Sequence, residues 1–246
     1  MVDLSPSCSL AVKVLTLVDR ARTVLEKSNR DQVFIAVAGG PGSGKSTLAE
    51  LVRDKLNASN ESADHEISVV LPMDGYHYPK AELKRMGEAN DEYTYEMMML
   101  RRGAPFTYDH ERLIADLKTA KASGEGSFPT YSREISDPVS GGVQLMKSHQ
   151  IVLCEGLYLL AQDDPNWEAL GEIWDDRWYL NTPENIVKAR LVKRHLQNWN
   201  SVKVRNWGEG CAGAVRKTEQ SDLLNTRWID KTSRDHCDIC FQSFET

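Results

Sequence analysis

The stretch Gly39-Gly40-Pro41-Gly42-Ser43-Gly44-Lys45-Ser46-Thr47 decides the fold of this chain. It satisfies the phosphate-loop pattern G-x-x-x-x-G-K-[ST], and its flanks supply the context that the pattern needs. The preceding run, Val33-Phe34-Ile35-Ala36-Val37-Ala38, is short, apolar and rich in β-branched residues, as a buried parallel strand is. The following run, 47–56, places Leu48, Leu51, Val52 and Leu56 on one helical face. Strand, glycine loop and helix in that order let backbone N–H groups curl around a polyphosphate at the positive end of a helix dipole. The loop is therefore expected to bind a nucleoside triphosphate, with Lys45 neutralising the β- and γ-phosphates and the Ser46 hydroxyl ligating Mg²⁺.

The chain has 246 residues, enough for one large α/β domain or a domain with a small lid. A net charge of −6 offers no overall attraction to nucleic acid or an anionic membrane. No apolar run approaches the roughly 20 residues that a membrane-spanning helix needs. The start reads as an amphipathic helix, about 9–28, with Leu10, Val14, Leu17, Ala21 and Leu25 on one face. Asp3, Asp19 and the lack of a continuous apolar core argue against a signal or transit peptide. The five cysteines, Cys8, Cys154, Cys211, Cys237 and Cys240, are odd in number and scattered, which suits free thiols in a reducing compartment. The expected setting is the cytoplasm, with self-association into a homodimer left open. Cys237-x-x-Cys240 lacks the second ligand pair of a zinc site and reads as part of a final strand.

Strand and helix signals alternate to the C-terminus. Strands are expected at 67–73, 151–154 and 176–180, and helices at 81–86, 94–102, 110–122 and 214–230. Gly124 to Gly142 is loop-rich with room for a hairpin. A basic helix is expected from Pro183 to Gln197 with Thr182 as N-cap, followed by an irregular stretch over 199–213. Such alternation implies a parallel sheet with helices on both faces, and ligands then bind beyond the carboxyl ends of the strands. Asp74 and Glu155 each follow a strand, so both should share a rim with the phosphate loop. Phosphoryl transfer needs Mg²⁺ ligands and an acceptor for the hydroxyl proton, and two carboxylates beside Lys45 can supply both.

Several segments carry a family resemblance. Pro72-Met73-Asp74-Gly75-Tyr76-His77, Arg101-Arg102-Gly103-Ala104-Pro105-Phe106-Thr107-Tyr108-Asp109, the segment 129–137 and Glu155-Gly156-Leu157-Tyr158-Leu159-Leu160 fall in one order. Together they resemble the superfamily of phosphoribulokinases, uridine kinases and type I pantothenate kinases. The likeness runs from about Phe34 through Leu196, and the pantothenate-kinase-like branch, with its fructose-transport-like and uridine-kinase-like members, is nearest. It implies an α/β P-loop NTPase of three layers, a five-stranded parallel sheet and a mobile helical lid over about 186–215. It also implies Asp74 as catalytic base, Glu155 as a Mg²⁺- or substrate-side acid, and Arg190 and Arg194 of the basic helix as a clamp on the migrating charge. Pantothenate kinases carry histidine where Arg133 stands, and uridine kinases typically have Asp-Ser-Phe-Tyr where Asp74-Gly75-Tyr76-His77 stands. A polar-aromatic acceptor pocket is expected from Tyr76, His77, Arg102, Tyr108 and Arg133, with Arg133 reading an anionic or polyhydroxylated group. The expected activity is ATP-dependent phosphorylation of a small-molecule alcohol of nucleoside, pantothenate-like or sugar-like kind. The rival is a P-loop ATPase that uses nucleotide state to regulate or chaperone a protein. The six tryptophans read as packing residues of core and lid.

Overall fold

The computed structural model describes residues 8–59, 65–89 and 93–243. Five parallel strands, β1 (Val33–Ala38), β2 (Ser68–Pro72), β5 (Ile151–Gly156), β6 (Asp176–Asn181) and β7 (Ile239–Gln242), form one sheet in the order β2-β5-β1-β6-β7. The other two strands, β3 (Gly126–Ser132) and β4 (Asp137–Leu145), pair as an antiparallel hairpin. The central strands are buried on both faces, and the period of two in their side chains divides the core. Val33, Ile35, Val37, Ile151 and Leu153 pack with helices α1 (Leu10–Lys27) and α2 (Lys45–Ala58). Phe34, Ala36, Ala38, Val152 and Cys154 pack on the opposite side with Leu113 and Leu117 of α5 (His110–Ser123), and with Ile229 of α9 (Leu223–Ser233). The result is the expected three-layer α/β architecture. No helix among the described residues is long and apolar enough to cross a membrane.

The N-terminal helix follows its expected bounds and buries Val14, Leu17 and Ala21, with Val18 beside them. Arg20 anchors it through two hydrogen bonds to Asp176, at 2.5 and 2.6 Å, an acid that also accepts from the Trp178 indole. Helix α2 differs in its face. It starts at Lys45 and buries Leu48, Ala49, Val52 and Leu56, which turns Leu51 outward to 36% exposure.

The basic helix α6 (Glu184–Gln197) starts with Pro183 in the cap position. Thr182 is not its N-cap, because the hydroxyl instead donates to the Ser43 carbonyl of the phosphate loop at 3.3 Å. The stretch 199–213, expected to be irregular, is largely helical: α7 (Ser201–Trp207) and α8 (Gly210–Lys217) form a helical pair. Asn200 caps α7 by accepting from Lys203 N–H, and Gly208 at φ 90° turns the chain where a side chain would be strained. The Trp199 indole and the Arg216 guanidinium close the pair on the carbonyls of Gly208 and Trp207. Between β2 and α5 lie α3 (Lys80–Glu88) and α4 (Tyr95–Leu100), the latter capped by Thr94.

Candidate active site

The phosphate loop leaves β1 at the carboxyl rim of the sheet. Gly42 and Gly44 hold φ of 75° and 98°, and Gly44 precedes α2 without any side-chain cap. The first N–H groups of α2 are thereby left to an anion, whose charge the helix dipole favours. Neighbouring elements press on the loop from two sides. A Cβ on Gly42 would stand 3.0 Å from Leu191 of α6, and one on Gly40 would stand 3.1 Å from Thr226 of α9. The Arg190 guanidinium donates to the carbonyls of Gly42 and Ser43 and to Ser243 Oγ, which in turn donates to Ser43. It therefore fixes the backbone of the loop from behind.

Register places the acids. Pro72 of β2 pairs with Glu155 of β5, and Glu155 pairs with Val37 of β1, so Glu155 lies between the loop and the chain entering Asp74. Glu155 Oε2 accepts from the Ser46 hydroxyl at 3.1 Å. Burial raises the Glu155 carboxyl above its ordinary value; Lys45 pulls it down and Asp74 pushes it up. A buried carboxylate and a hydroxyl in contact, beside a lysine and a second acid, form an oxygen donor set that suits Mg²⁺. Among the described residues no cluster of three or more histidine, cysteine or acidic side chains could hold a metal by itself. Substrate phosphate oxygens and water would complete the shell, as Mg²⁺ commonly requires.

The charge-neutral variant separates stability from function at this residue. Glu155→Gln is expected to raise the melting temperature of the nucleotide-free protein by roughly 2–4 °C per kcal/mol of relieved desolvation. The same change should abolish the Mg²⁺-dependent part of nucleotide stabilisation, measured by thermal unfolding with and without MgATP. An unchanged Mg²⁺ response would remove Glu155 from the metal site.

Asp74 sits in a 3₁₀ turn, Met73–Tyr76, between β2 and α3. Tyr108 donates its hydroxyl to Asp74 Oδ1 at 3.2 Å. His77 Nδ1 lies 2.8 Å from the Asp74 carbonyl, and the ring is layered between Tyr108 and Tyr131 at 4.0 and 4.8 Å. Burial lowers the His77 pKa, so the ring is neutral and the carbonyl fixes its proton on Nδ1. The turn lies flush on the hairpin: a Cβ at Gly75 would stand 2.1 Å from the Pro129 carbonyl oxygen. Gly75→Ala must part these backbones, at a cost of about 1–3 kcal/mol. It should lower kcat together with the melting temperature; full activity in a destabilised protein would show that the hairpin does not aim Asp74.

Beside this turn opens a cavity of about 510 Å³, lined by Arg101, Phe106, Tyr108, Trp167, Asn225 and Trp228 among others. Tyr108 joins the two regions, since it lines the cavity and places its hydroxyl on Asp74. The expected acceptor residues are only partly brought together. Tyr108 lines the cavity, and His77 packs behind it against Tyr108 and Tyr131. Tyr76 is buried in the core at 2% exposure, its hydroxyl on Asp116 of α5. Arg102 is paired with Asp137 at 2.9 Å and donates to the Tyr78 carbonyl, tying the hairpin to the entry of α3. Arg133 is exposed on the hairpin turn, and its charge reaches Arg194 of α6. Burial lowers the Arg194 pKa, while Asp222 and Asp74 support its charge.

Arg101, Asn225, Trp167 and Trp228 went unselected in the sequence. Asn225 and Trp228 share a face of α9 by their spacing of three, but one polar residue on a helix is a weak signal. Trp178 and Trp174 are core residues and Trp199 belongs to the α7–α8 pair, as expected of packing residues.

A family model described as phosphoribulokinase / uridine kinase matches residues 34–198, from β1 through the end of α6. The chain belongs to the phosphoribulokinase/uridine kinase family. One relative within it is a Schizosaccharomyces pombe protein named as a candidate uridine kinase. It is 30% identical over 217 residues, covering 87% of this chain and 84% of the relative. A pantothenate kinase of Ligilactobacillus salivarius is 26% identical over 168 residues, 68% of this chain but 51% of that enzyme. In structure, a candidate fructose transport system kinase from Silicibacter sp. TM1040 superposes with a TM-score of 0.75 at 27% identity, covering 93% of this chain and 98% of the other. YFH7 of Saccharomyces cerevisiae gives 0.77 over 95% and 99%, at 19% identity, a likeness of fold. This member of the family is a P-loop kinase of the uridine kinase and pantothenate kinase type, with the phosphate loop, Asp74 and Glu155 on one rim.

Proposed function

We propose that the protein transfers the γ-phosphoryl group of ATP to a hydroxyl of a small-molecule acceptor held in the Arg101–Trp228 cavity. The observation that carries this reading is the position of Asp74, beside the phosphate-loop rim on one side and joined through Tyr108 to the cavity on the other. A cavity of this volume suits a small metabolite with apolar or flat surface. Asp74 accepts the proton of the attacking hydroxyl, and Tyr108 holds the carboxylate in its orientation. Lys45 and the N–H groups of α2 hold the phosphates, while Arg190 keeps the loop in shape and Arg194 faces the migrating charge. Ser46 and Glu155 would hold Mg²⁺, which supplies charge neutralisation to the β- and γ-phosphate oxygens.

The end of α6 with α7 and α8 is the lid in this reading. Helix α7 buries none of its residues, so little packing opposes its movement. A closing lid excludes water and suppresses transfer to solvent. ATP hydrolysis without acceptor is then expected to be slow, and the right alcohol to raise ADP release by orders of magnitude. ADP release measured across nucleosides, sugars, sugar acids and pantothenate tests this. Brisk hydrolysis that answers to a protein partner and to no small alcohol would support the regulatory ATPase instead. The described cysteines are all free, which suits a cytoplasmic setting.

A further inference from the structure

The geometry points to Arg101 as the specificity-determining residue of the cavity, which selects an acceptor alcohol carrying a carboxylate. This rests on the kinase reading of the site and names its substrate class. Arg101 and Arg102 are neighbours at the end of α4, and they diverge. Arg102 has its own acid, Asp137, at 2.9 Å. Arg101 makes no ion pair among the described residues; its Nη2 donates to the neutral Asn225 Oδ1 at 3.2 Å, and its Nε is buried without a hydrogen-bond partner.

An N–H buried without a partner is a deficit that the free protein carries. Its surroundings are apolar and aromatic, with Phe106, Trp167 and Trp228 in the same wall. There a buried N–H left unmade is costly and a charge-assisted bond is strong. The cavity holds one acid, Asp164, whose Oδ1 is engaged by the Asn166 N–H, and one further basic group, His110. A planar carboxylate matches the guanidinium fork and supplies the missing partner, and the aromatic walls cover the body of the same molecule.

The cation also lies near the chemistry. Burial pushes the Tyr158 phenol well above its ordinary value, Arg101 pulls it down and Asp74 pushes it up, so this one ring senses both groups. Tyr158 donates to the carbonyl of Gly103, two residues beyond Arg101, and packs on Trp167 and Trp228 at 5.0 and 5.3 Å. A carboxylate on Arg101 leaves the hydroxyl end of a short hydroxy acid to reach toward Tyr108 and Asp74.

The test pairs acids with neutral copies of themselves. Pantothenate, glycerate and 4-(hydroxymethyl)benzoate are each compared with their primary amides, with ribose 5-phosphate against ribose as a phosphate-bearing pair. Two readouts are taken: ADP release, and equilibrium binding to the nucleotide-free protein. At least one acid is expected to exceed its amide by about 10²-fold in kcat/KM and in affinity, the size of breaking a buried charge pair. In Arg101→Met that preference should collapse to within a few-fold, through a rise in the acids' KM far larger than any change for their amides. Arg101→Lys should restore part of it and guards against a folding defect. Acids that bind in an Arg101-dependent way without any ADP release would keep the anion site and remove the kinase reading. Amides that turn over as well as acids would keep the kinase and overturn the anion site. The proposal is equally overturned if no acid binds, if ribose 5-phosphate is preferred to all three acids, or if Arg101→Met weakens MgATP instead.

Discussion

Asp74→Asn is expected to lower kcat by about 10²-fold or more, the usual contribution of a general base, while nucleotide affinity stays level or improves. The amide keeps the shape of the side chain and can still accept the Tyr108 hydroxyl at its Oδ1. What it loses is the capacity to take a proton. The direction of the affinity change follows from the neighbouring acid. Asp74 is one of the groups that push the Glu155 carboxyl up, so removing its charge lets Glu155 ionise more readily. A more fully ionised Glu155 is a better cation ligand, and MgATP should bind at least as tightly as before. Single-turnover rates and MgATP titration measure the two effects separately. A parallel loss of affinity and rate would make Asp74 a Mg²⁺ ligand and leave the base unassigned.

Much of this site was legible because its determinants are local in sequence. The loop from Gly39 to Thr47, the strand before it and the acids after β2 and β5 depend on short segments, and the parallel register then brings them to one rim. The acceptor side was far less legible. The cavity is built from α3, the turn that follows α4, the loop at 164–167 and α9, segments spread over more than a hundred residues of chain. Which of two adjacent arginines enters it depends on where α4 ends and on Asp137 of the hairpin claiming Arg102. Tyr76 shows the same limit. It stands in the right motif, but the 3₁₀ turn directs it to Asp116 and the core. The expected cap at Thr182 and the irregular 199–213 stretch differ for a related reason. A hydroxyl serves whichever partner the fold offers, and short helices rest on caps and tertiary closure more than on periodicity.

Lys45→Ala is expected to reduce turnover by about 10³-fold or more while the protein stays folded, since preorganised charge at the reacting phosphate is among the largest catalytic contributions. Lys45 is the first residue of α2, so in the proposed site its ammonium and the helix N–H groups would act on the same phosphates. It has a second role that compounds the loss. Lys45 is the chief group opposing the upward shift of the Glu155 carboxyl, and without it Glu155 moves further toward its neutral form. The variant should therefore lose Mg²⁺ affinity as well as transition-state charge. The sign can be checked. Because the folded pKa of Glu155 lies above its unfolded value, and further above in the variant, ionising it costs folding stability as pH rises through that window. Nucleotide-free Lys45→Ala should then lose more stability than the parent protein between the ordinary carboxylate range and neutral pH. Lys45→Ala combined with Glu155→Gln should erase the difference. Retention of more than about a tenth of parental turnover would remove Lys45 from the phosphate site, because electrostatic contacts of this kind cost far more when lost. A large loss of turnover with an unchanged Mg²⁺ requirement would confine its action to the transferring phosphate and separate it from Glu155.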